Sequence, residues 1–215
     1  MMGAYRKYGT CFFERYAITS LRTLLGHKFD DLINDDRPDL QSADRKRLGI
    51  EVTRAMEPGK EAANQMLKGL AGFPRQDDVP GYDEVIERGY GYGIHEGKYI
   101  GGLELRYWQS ARPLRDIIAN KVGKVSSGFY GSFDEFGLFV FCKDPLDEVL
   151  VAKTIKYTMD LQKDNEVKYR RLFLSDQNGL YACNLDDGIK FEFRVTYCPV
   201  SSEQRREFYL EALEY

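Results

Sequence analysis

The sequence predicts a mixed α/β (α+β) fold in which helices flank a central mixed sheet. Apolar residues recur at helical spacing in several segments, and the run FGLFVF at 136–141 is typical of a strand buried on both faces. The predicted elements follow the order helix, strands, helix, strand, helix and strands, without an internal repeat. With 215 residues, 43% of them hydrophobic and 30% charged, the chain has the size and composition of a single globular domain.

The first predicted element is a helix that carries an acidic residue on its apolar stripe. Apolar residues recur at helical spacing over 12–29, where Ile18, Leu21 and Leu25 lie on one face. Glu14 lies one turn before Ile18 on the same face. We therefore expect this carboxylate to lie in line with buried residues.

A β-hairpin is predicted next. Residues 38–41 and 48–55 have the alternation of strands and are separated by the short loop SADRKR, so we expect them to pair. Alternation places Asp39 and Glu51 on the faces opposite the apolar side chains of their strands. Pairing would therefore bring two carboxylates together at one end of the sheet.

The rest of the chain supplies further helices and strands around one segment of different character. Residues 75–112 include the Gly- and Tyr-rich stretch GYGYGIHEGKYIGG and are predicted to form an insertion within a single domain, 1–215. Helices are predicted over 61–70, 113–125, 146–161 and from Ser202, and strands over 136–141, 169–176, 179–185 and 190–197.

Composition argues against several classes of protein. The four cysteines form no Cys-x-x-Cys pair and there are only two histidines, so the sequence does not indicate a zinc site. We expect reduced thiols and a cytoplasmic protein. No apolar run approaches the ~18 residues of a membrane-spanning helix. A net charge of −3 leaves room for a local basic patch that binds nucleic acid.

The acidic residues suggest a metal site. Two neighbouring carboxylates repel one another unless a cation lies between them, and Mg²⁺ is commonly held by one or two carboxylates together with phosphate oxygens. Asp39 and Glu51 are the predicted metal ligands, and Glu14 would complete the site if the first helix crosses the hairpin. The chemistry expected is metal-dependent hydrolysis of a phosphodiester.

These residues resemble the PD-(D/E)XK nuclease superfamily, which has the restriction-endonuclease-like fold. The resemblance is carried by Glu14 in a first helix, the Pro38-Asp39 dipeptide and the strand IEVT at 50–53. It implies an α-β-β-β-α-β core and an Asp and Glu pair that binds Mg²⁺ or Mn²⁺. It further implies a helix glutamate that supports the metal shell, and DNA as the substrate.

The sequence departs from that family at one position. The family usually has Lys two residues after the acidic residue of the strand, where this chain has Thr53. Lys60, Lys121 or Lys124 would supply the missing charge from another element, or Thr53 and Gln65 would orient the water by hydrogen bonding. Alternatively, catalysis is lost and the fold is a nucleic-acid-binding or protein-interaction module.

Simpler structural interpretations exist for each residue. Asp39 suits a turn, Glu51 suits an exposed strand face, and Glu14 suits the N-terminal part of a helix. Lys121 and Lys124 suit a solvated helix surface. The spacing and order of the three carboxylates together favour the metal site. The SADRKR loop either contacts phosphates or is solvated, and a strand edge or the C-terminal helix would support a homodimer.

Overall fold

A seven-stranded mixed sheet forms the centre of the fold. The computed structural model describes residues 8–56, 60–83, 85–86, 94–95, 98–99 and 114–213. The strands of the sheet are β1 (Leu32–Asn34), β2 (Leu40–Ser42), β3 (Leu48–Ala55), β6 (Glu135–Cys142), β7 (Tyr169–Ser175), β8 (Gly179–Asn184) and β9 (Val195–Pro199). They lie in the order β1-β2-β3-β6-β7-β8-β9, and a separate antiparallel pair consists of β4 (Ile94–His95) and β5 (Lys98–Tyr99).

Three parallel strands lie in the middle of the sheet. β3, β6 and β7 are parallel, whereas β1-β2-β3 on one side and β7-β8-β9 on the other are antiparallel. From Phe136 to Cys142, β6 is buried throughout. This confirms the prediction of a strand covered on both faces, because helices pack on each side of a parallel sheet.

Five α-helices occur in the described residues, and they cover both faces of the sheet. Their bounds are α1 (Tyr8–Leu25), α2 (Lys60–Ala71), α3 (Arg115–Ser126), α4 (Glu148–Gln162) and α5 (Ser202–Leu213). Helices α1, α2 and α5 share one apolar core with Ile50 and Val52 of β3, whereas α3 and α4 share a second core with Leu138 and Val140 of β6. The architecture is a three-layer α/β/α arrangement. In the described residues, no helix has both the length and the apolar character that crossing a membrane requires.

Strand β3 presents two chemically different faces to these helices. Ile50 and Val52 belong to the core under α1, while Ala55 belongs to the core under α3. Because side chains alternate along a strand, Glu51 and Thr53 lie on the same face of β3 as Ala55. Both side chains are less than 9% exposed. The strand therefore directs a carboxylate toward a helix-covered face of the sheet.

The β2–β3 hairpin is fixed by the side chain of Asp44. Its Oδ1 accepts hydrogen bonds from the Ser42 hydroxyl at 2.6 Å and from the backbone N–H groups of Lys46 at 2.9 Å and Arg47 at 3.1 Å. The Ser42 hydroxyl also accepts from the N–H of Leu48 at 3.0 Å. These bonds, the Ser42 bond foremost, lower the pKa of Asp44 to about 2. The hairpin predicted around SADRKR is thereby confirmed.

Several element boundaries differ from the sequence prediction, including that of β2, which spans Leu40–Ser42 where 38–41 was predicted. Helix α1 ends at Leu25 because Gly26 adopts a left-handed φ of 76°, and a short 3-10 turn over His27–Phe29 follows. The strand predicted over 190–197 begins only at Val195, after a 3-10 turn over Phe191–Phe193.

Part of the predicted insertion belongs to the main core. Val79, Tyr82, Val85 and Ile86 are buried in the cluster beneath α1 and α2, so the chain around them packs with the rest of the domain. The GYGYG stretch at 89–93 and residues 100–112 of the prediction lie outside the described residues.

We predict that Gly49→Ala lowers the free energy of unfolding by about 1–3 kcal/mol, measured by urea denaturation. A Cβ at Gly49 would lie 2.7 Å from Pro38 Cγ and 3.0 Å from the ring of Phe133, so one of them must shift. Gly123→Ala in α3 is the matched control, since its Cβ meets nothing within 4 Å. Alanine there should raise stability by about 0.5–1 kcal/mol. Equal stability of the two variants would contradict this description of the hairpin.

Candidate active site

Asp39 and Glu51 meet at the point where β2 separates from β3. The ladder pairs Leu40 with Ile50, and one further step in this register places Asp39 opposite Glu51. Strand β2 begins only at Leu40, and the Asp39 Oδ2 accepts a hydrogen bond from the backbone N–H of Val52 at 2.8 Å. A carboxylate thus replaces the backbone partner that a longer β2 would provide.

Glu14 is connected to this point through Asn34 of β1. The Asn34 side-chain amide donates one hydrogen bond to Glu14 Oε2 and another to the backbone carbonyl of Asp39, the latter at 3.1 Å. Glu14 is 8% exposed, as expected for an acidic residue on the apolar stripe of α1. Helix α1, β1 and the start of β2 are therefore joined by one polar contact chain.

The three carboxylates affect one another electrostatically. The pKa of Asp39 is raised well above its ordinary value, first by burial and then by the negative charges of Glu51 and Glu14. The positive charge of Lys121 and the Val52 hydrogen bond act in the opposite direction. A cation bound between Asp39 and Glu51 would offset this repulsion.

Lys121 of α3 supplies a cation to the site from a distant part of the chain. Its Nζ forms an ion pair with Glu51 Oε1, and both side chains are 9% exposed. Lys121 lies among the buried residues of α3, which also include Ile117, Ile118 and Val122. The interpretation of Lys121 as a solvated surface lysine is therefore wrong, because α3 turns this face toward the sheet.

Two buried tyrosines lie near the Glu51–Lys121 pair. The hydroxyl of Tyr169 donates to the backbone carbonyl of Lys121 at 3.3 Å. Tyr130 is 2% exposed, and its hydroxyl lies beside Glu51 and Tyr169 without hydrogen-bond geometry to a described group. Burial, and then these two neighbours, raise its pKa. Both tyrosines are buried next to the Glu51–Lys121 pair.

The remaining predicted residues occupy different positions. Thr53 is 4% exposed and follows Glu51 on the same face of β3, whereas Arg54 lies on the opposite face with its guanidinium 4.5 Å from the Phe13 ring. Lys60 begins α2, and its side chain lies outside the described residues. Gln65 is exposed and donates to Glu61 at 3.1 Å on α2. Because α2 packs on the far face of the sheet, Gln65 does not join Thr53.

Charges in the SADRKR loop are engaged by neighbouring acids. Arg45 contacts Asp35 at 2.7 Å and Arg47 contacts Asp31 at 2.5 Å, all at least partly exposed. Such exposed ion pairs contribute little to stability, so the arginines can pair with another anion in place of the acid at small cost. The loop therefore carries cations near the site, already balanced by acids in this structure.

The donor set fits a hard divalent cation. Asp39 and Glu51 offer carboxylate oxygens, which Mg²⁺ prefers, and their mutual repulsion favours a cation between them. No group of three or more His, Cys, Asp or Glu residues in the described part of the chain is arranged to hold a metal by itself. A site with two carboxylates, waters and a substrate phosphate remains consistent with the chemistry of Mg²⁺.

Sequence reasoning missed Asn34, Tyr130 and Tyr169. Asn34 lies in the acidic stretch around residues 30–36, which has the composition of a turn, although Leu32–Asn34 forms β1. The two tyrosines come from segments distant in sequence from Glu51. No local pattern indicates that they meet there.

No family model, curated protein or solved structure matches this chain. Its function is therefore inferred from the side chains and geometry of the site.

We predict that, in the metal-free protein, Glu51→Gln lowers the pKa of Asp39 toward its ordinary value, because it removes a nearby negative charge. Glu14→Gln should lower that pKa by a smaller amount, since its charge has the smaller effect. Carboxyl ¹³C chemical shifts measured against pH give both values directly. An unchanged pKa of Asp39 in Glu51→Gln would show that the two carboxylates do not share a site.

The raised pKa of Asp39 also sets the direction of the pH dependence. A carboxyl with a folded-state pKa above its unfolded value stabilises the fold below the unfolded pKa. That contribution is lost as pH rises through the folded-state pKa. In EDTA, the free energy of unfolding of the wild-type protein should therefore decline as pH rises from the unfolded-state pKa of Asp39 to its folded-state pKa. In Glu51→Gln this pH interval should be narrower, because the folded-state pKa is lower.

Proposed function

We propose that the protein is a Mg²⁺-dependent nuclease that hydrolyses phosphodiester bonds in DNA. The observation that carries this proposal is the contact between Lys121 and Glu51 beside Asp39. Two carboxylates and one lysine are the groups that the PD-(D/E)XK resemblance requires, and we propose that Lys121 of α3 takes the place of a lysine on β3. The order α1-β1-β2-β3, helices, β6 is consistent with the α-β-β-β-α-β core that the resemblance implies.

Asp39 and Glu51 would hold the metal ion, with Glu14 as a supporting acid. Mg²⁺ or Mn²⁺ bound there lowers the pKa of a water molecule and polarises a phosphoryl oxygen. Asn34 fixes Glu14 relative to the Asp39 backbone, and the Val52 N–H fixes the Asp39 carboxylate. These bonds hold two of the three acids in place before metal or substrate binds.

Lys121 would take the role of the lysine absent at Thr53. In hydrolysis, the water oxygen forms a bond to phosphorus while one P–O ester bond breaks, giving a phosphate monoester and an alcohol. Negative charge on the phosphoryl oxygens is stabilised by a nearby ammonium group. Lys121 would donate to the attacking water or to a phosphoryl oxygen once its contact with Glu51 is released. Thr53, on the same face of β3 as Glu51, offers only a neutral hydroxyl.

A DNA-binding protein without catalysis is the second candidate. Thr53 at the motif position favours it, and so does the Glu51–Lys121 ion pair, which neutralises Glu51 without a metal. This candidate predicts DNA binding that does not depend on a divalent ion. The nuclease predicts cleavage that requires one.

We predict that the purified protein cleaves plasmid and single-stranded DNA with Mg²⁺ or Mn²⁺ and that EDTA prevents cleavage. Glu51→Gln should abolish cleavage because it removes the charge of a metal ligand. Lys121→Met should reduce the rate by about 10²–10³-fold, the usual loss for one stabilising donor of a transition state. Gel-based cleavage rates under single-turnover conditions measure each effect.

Lys156→Met is the matched control for Lys121→Met, because Lys156 is an exposed lysine of the neighbouring helix α4. Its cleavage rate should equal that of the wild-type protein. Lys121→Met leaves Glu51 buried without its ion-pair partner, which costs about 3–5 kcal/mol, so thermal melting must accompany the assay. A folded Lys121→Met variant with the wild-type rate would rule out the proposed role, and a wild-type protein that binds DNA without cutting it would favour the second candidate.

A further inference from the structure

An exposed phenylalanine lies between two cations next to the candidate active site. Phe129 is 46% exposed, although it is a large apolar residue. The Arg37 guanidinium lies 5.3 Å from the centre of its ring and the Lys124 ammonium lies 5.2 Å from it. Arg37 also contacts Asp36 at 3.6 Å, and both of these side chains are exposed.

The backbone holds Phe129 outward at the C-terminal end of α3. Gly128 has a left-handed φ of 72° and donates to the carbonyl of Val125 at 3.2 Å, while the N–H of Phe129 donates to the carbonyl of Lys124 at 3.3 Å. This pair of hydrogen bonds is the Schellman motif, which fixes the direction in which the chain leaves a helix. The position of the ring is thus set by α3 itself.

This cluster is connected to the acidic site on two sides. Arg37 is two residues before Asp39, and Lys124 is one helical turn after Lys121. The ring of Phe129 contacts Tyr130 edge-to-face at 5.2 Å, and Tyr130 reaches Glu51 in the interior. The aromatic surface therefore borders the position where the scissile phosphate would lie.

We propose that Arg37, Phe129 and Lys124 bind one nucleotide of a single DNA strand adjacent to the scissile phosphate. The base stacks against the exposed part of the Phe129 ring, as bases do on aromatic side chains of proteins that bind single strands. The base displaces Arg37 or Lys124 from the ring face. The displaced cation then pairs with a neighbouring phosphate, and this ion pair replaces the lost cation–π contact.

A single strand fits this cluster better than a duplex. In a duplex, each base is already stacked on its neighbours and paired, so a free base face is available only after unstacking, which costs free energy. An unpaired strand or a frayed end presents that face directly. This inference names the substrate class of the proposed nuclease and rests on it for the position of the cleaved bond, but the binding step itself needs no metal.

The test is equilibrium binding of the full chain in EDTA to a fluorescently labelled single strand of about 12 nucleotides. Binding is measured by the anisotropy of the label. Phe129→Ala should weaken binding by about ten-fold, whereas Phe129→Trp should bind at least as tightly as the wild-type protein because Trp also stacks. Phe193→Ala is the matched control, since Phe193 is 75% exposed and precedes β9 at the opposite edge of the sheet. Its affinity should be unchanged.

A strand that contains 2-aminopurine reports stacking itself. Its fluorescence should be quenched by the wild-type protein and by Phe129→Trp but not by Phe129→Ala. The inference is overturned if Phe129→Ala binds the single strand as the wild-type protein does, if Phe193→Ala loses as much affinity, or if Phe129→Ala loses equal affinity for a blunt duplex.

The same experiment separates this inference from the proposed nuclease. Metal-dependent cleavage with no effect of Phe129→Ala on binding retains the nuclease and rejects the stacking site. Binding of single strands that depends on Phe129, without cleavage under any metal condition, retains the stacking site and rejects the nuclease.

Discussion

The burial of Glu51 is the constraint on which the site depends. A carboxylate on a helix-covered face of a sheet is stable only with a charged or hydrogen-bonding partner. Lys121 provides that partner in the structure, and Asp39 and Glu14 bring two further negative charges close to it. The negative charges of Glu51 and Glu14 raise the pKa of Asp39, and this repulsion among carboxylates is the physical basis of the proposed metal site.

The topology explains how the cation reaches Glu51. Because β3 and β6 are parallel neighbours, the chain must cross over a face of the sheet between them, and α3 ends that crossover. Helix α3 packs on the face that Glu51 and Thr53 share, so a lysine on its buried side lies above β3. In the proposed function, Lys121 supplies the charge that the PD-(D/E)XK pattern has at position 53, where this chain has a buried threonine.

Local sequence patterns predicted most of the helices and strands, but not the contacts between them. Alternation around Glu51 and the apolar run of β6 predicted the central sheet, because these signals lie within single strands. Helical periodicity places Lys121 in line with Ile117 and Ile118 on the buried face of α3, but its contact with Glu51 joins residues 70 positions apart, which no local pattern predicts. Asn34 was not predicted as a site residue because it lies in a three-residue strand within an acidic stretch that has the composition of a turn. The end of α1 at Gly26 was missed because the apolar period continues through the turn.

Anomalous diffraction from crystals grown with Mn²⁺ tests the central claim most directly, since it locates the metal without relying on activity. We predict a Mn²⁺ peak between the carboxylates of Asp39 and Glu51 in the wild-type protein, with the Lys121 ammonium turned away from Glu51, and no such peak in Glu51→Gln. A peak elsewhere in the molecule, or an intact Glu51–Lys121 ion pair without bound metal at millimolar Mn²⁺, would contradict it.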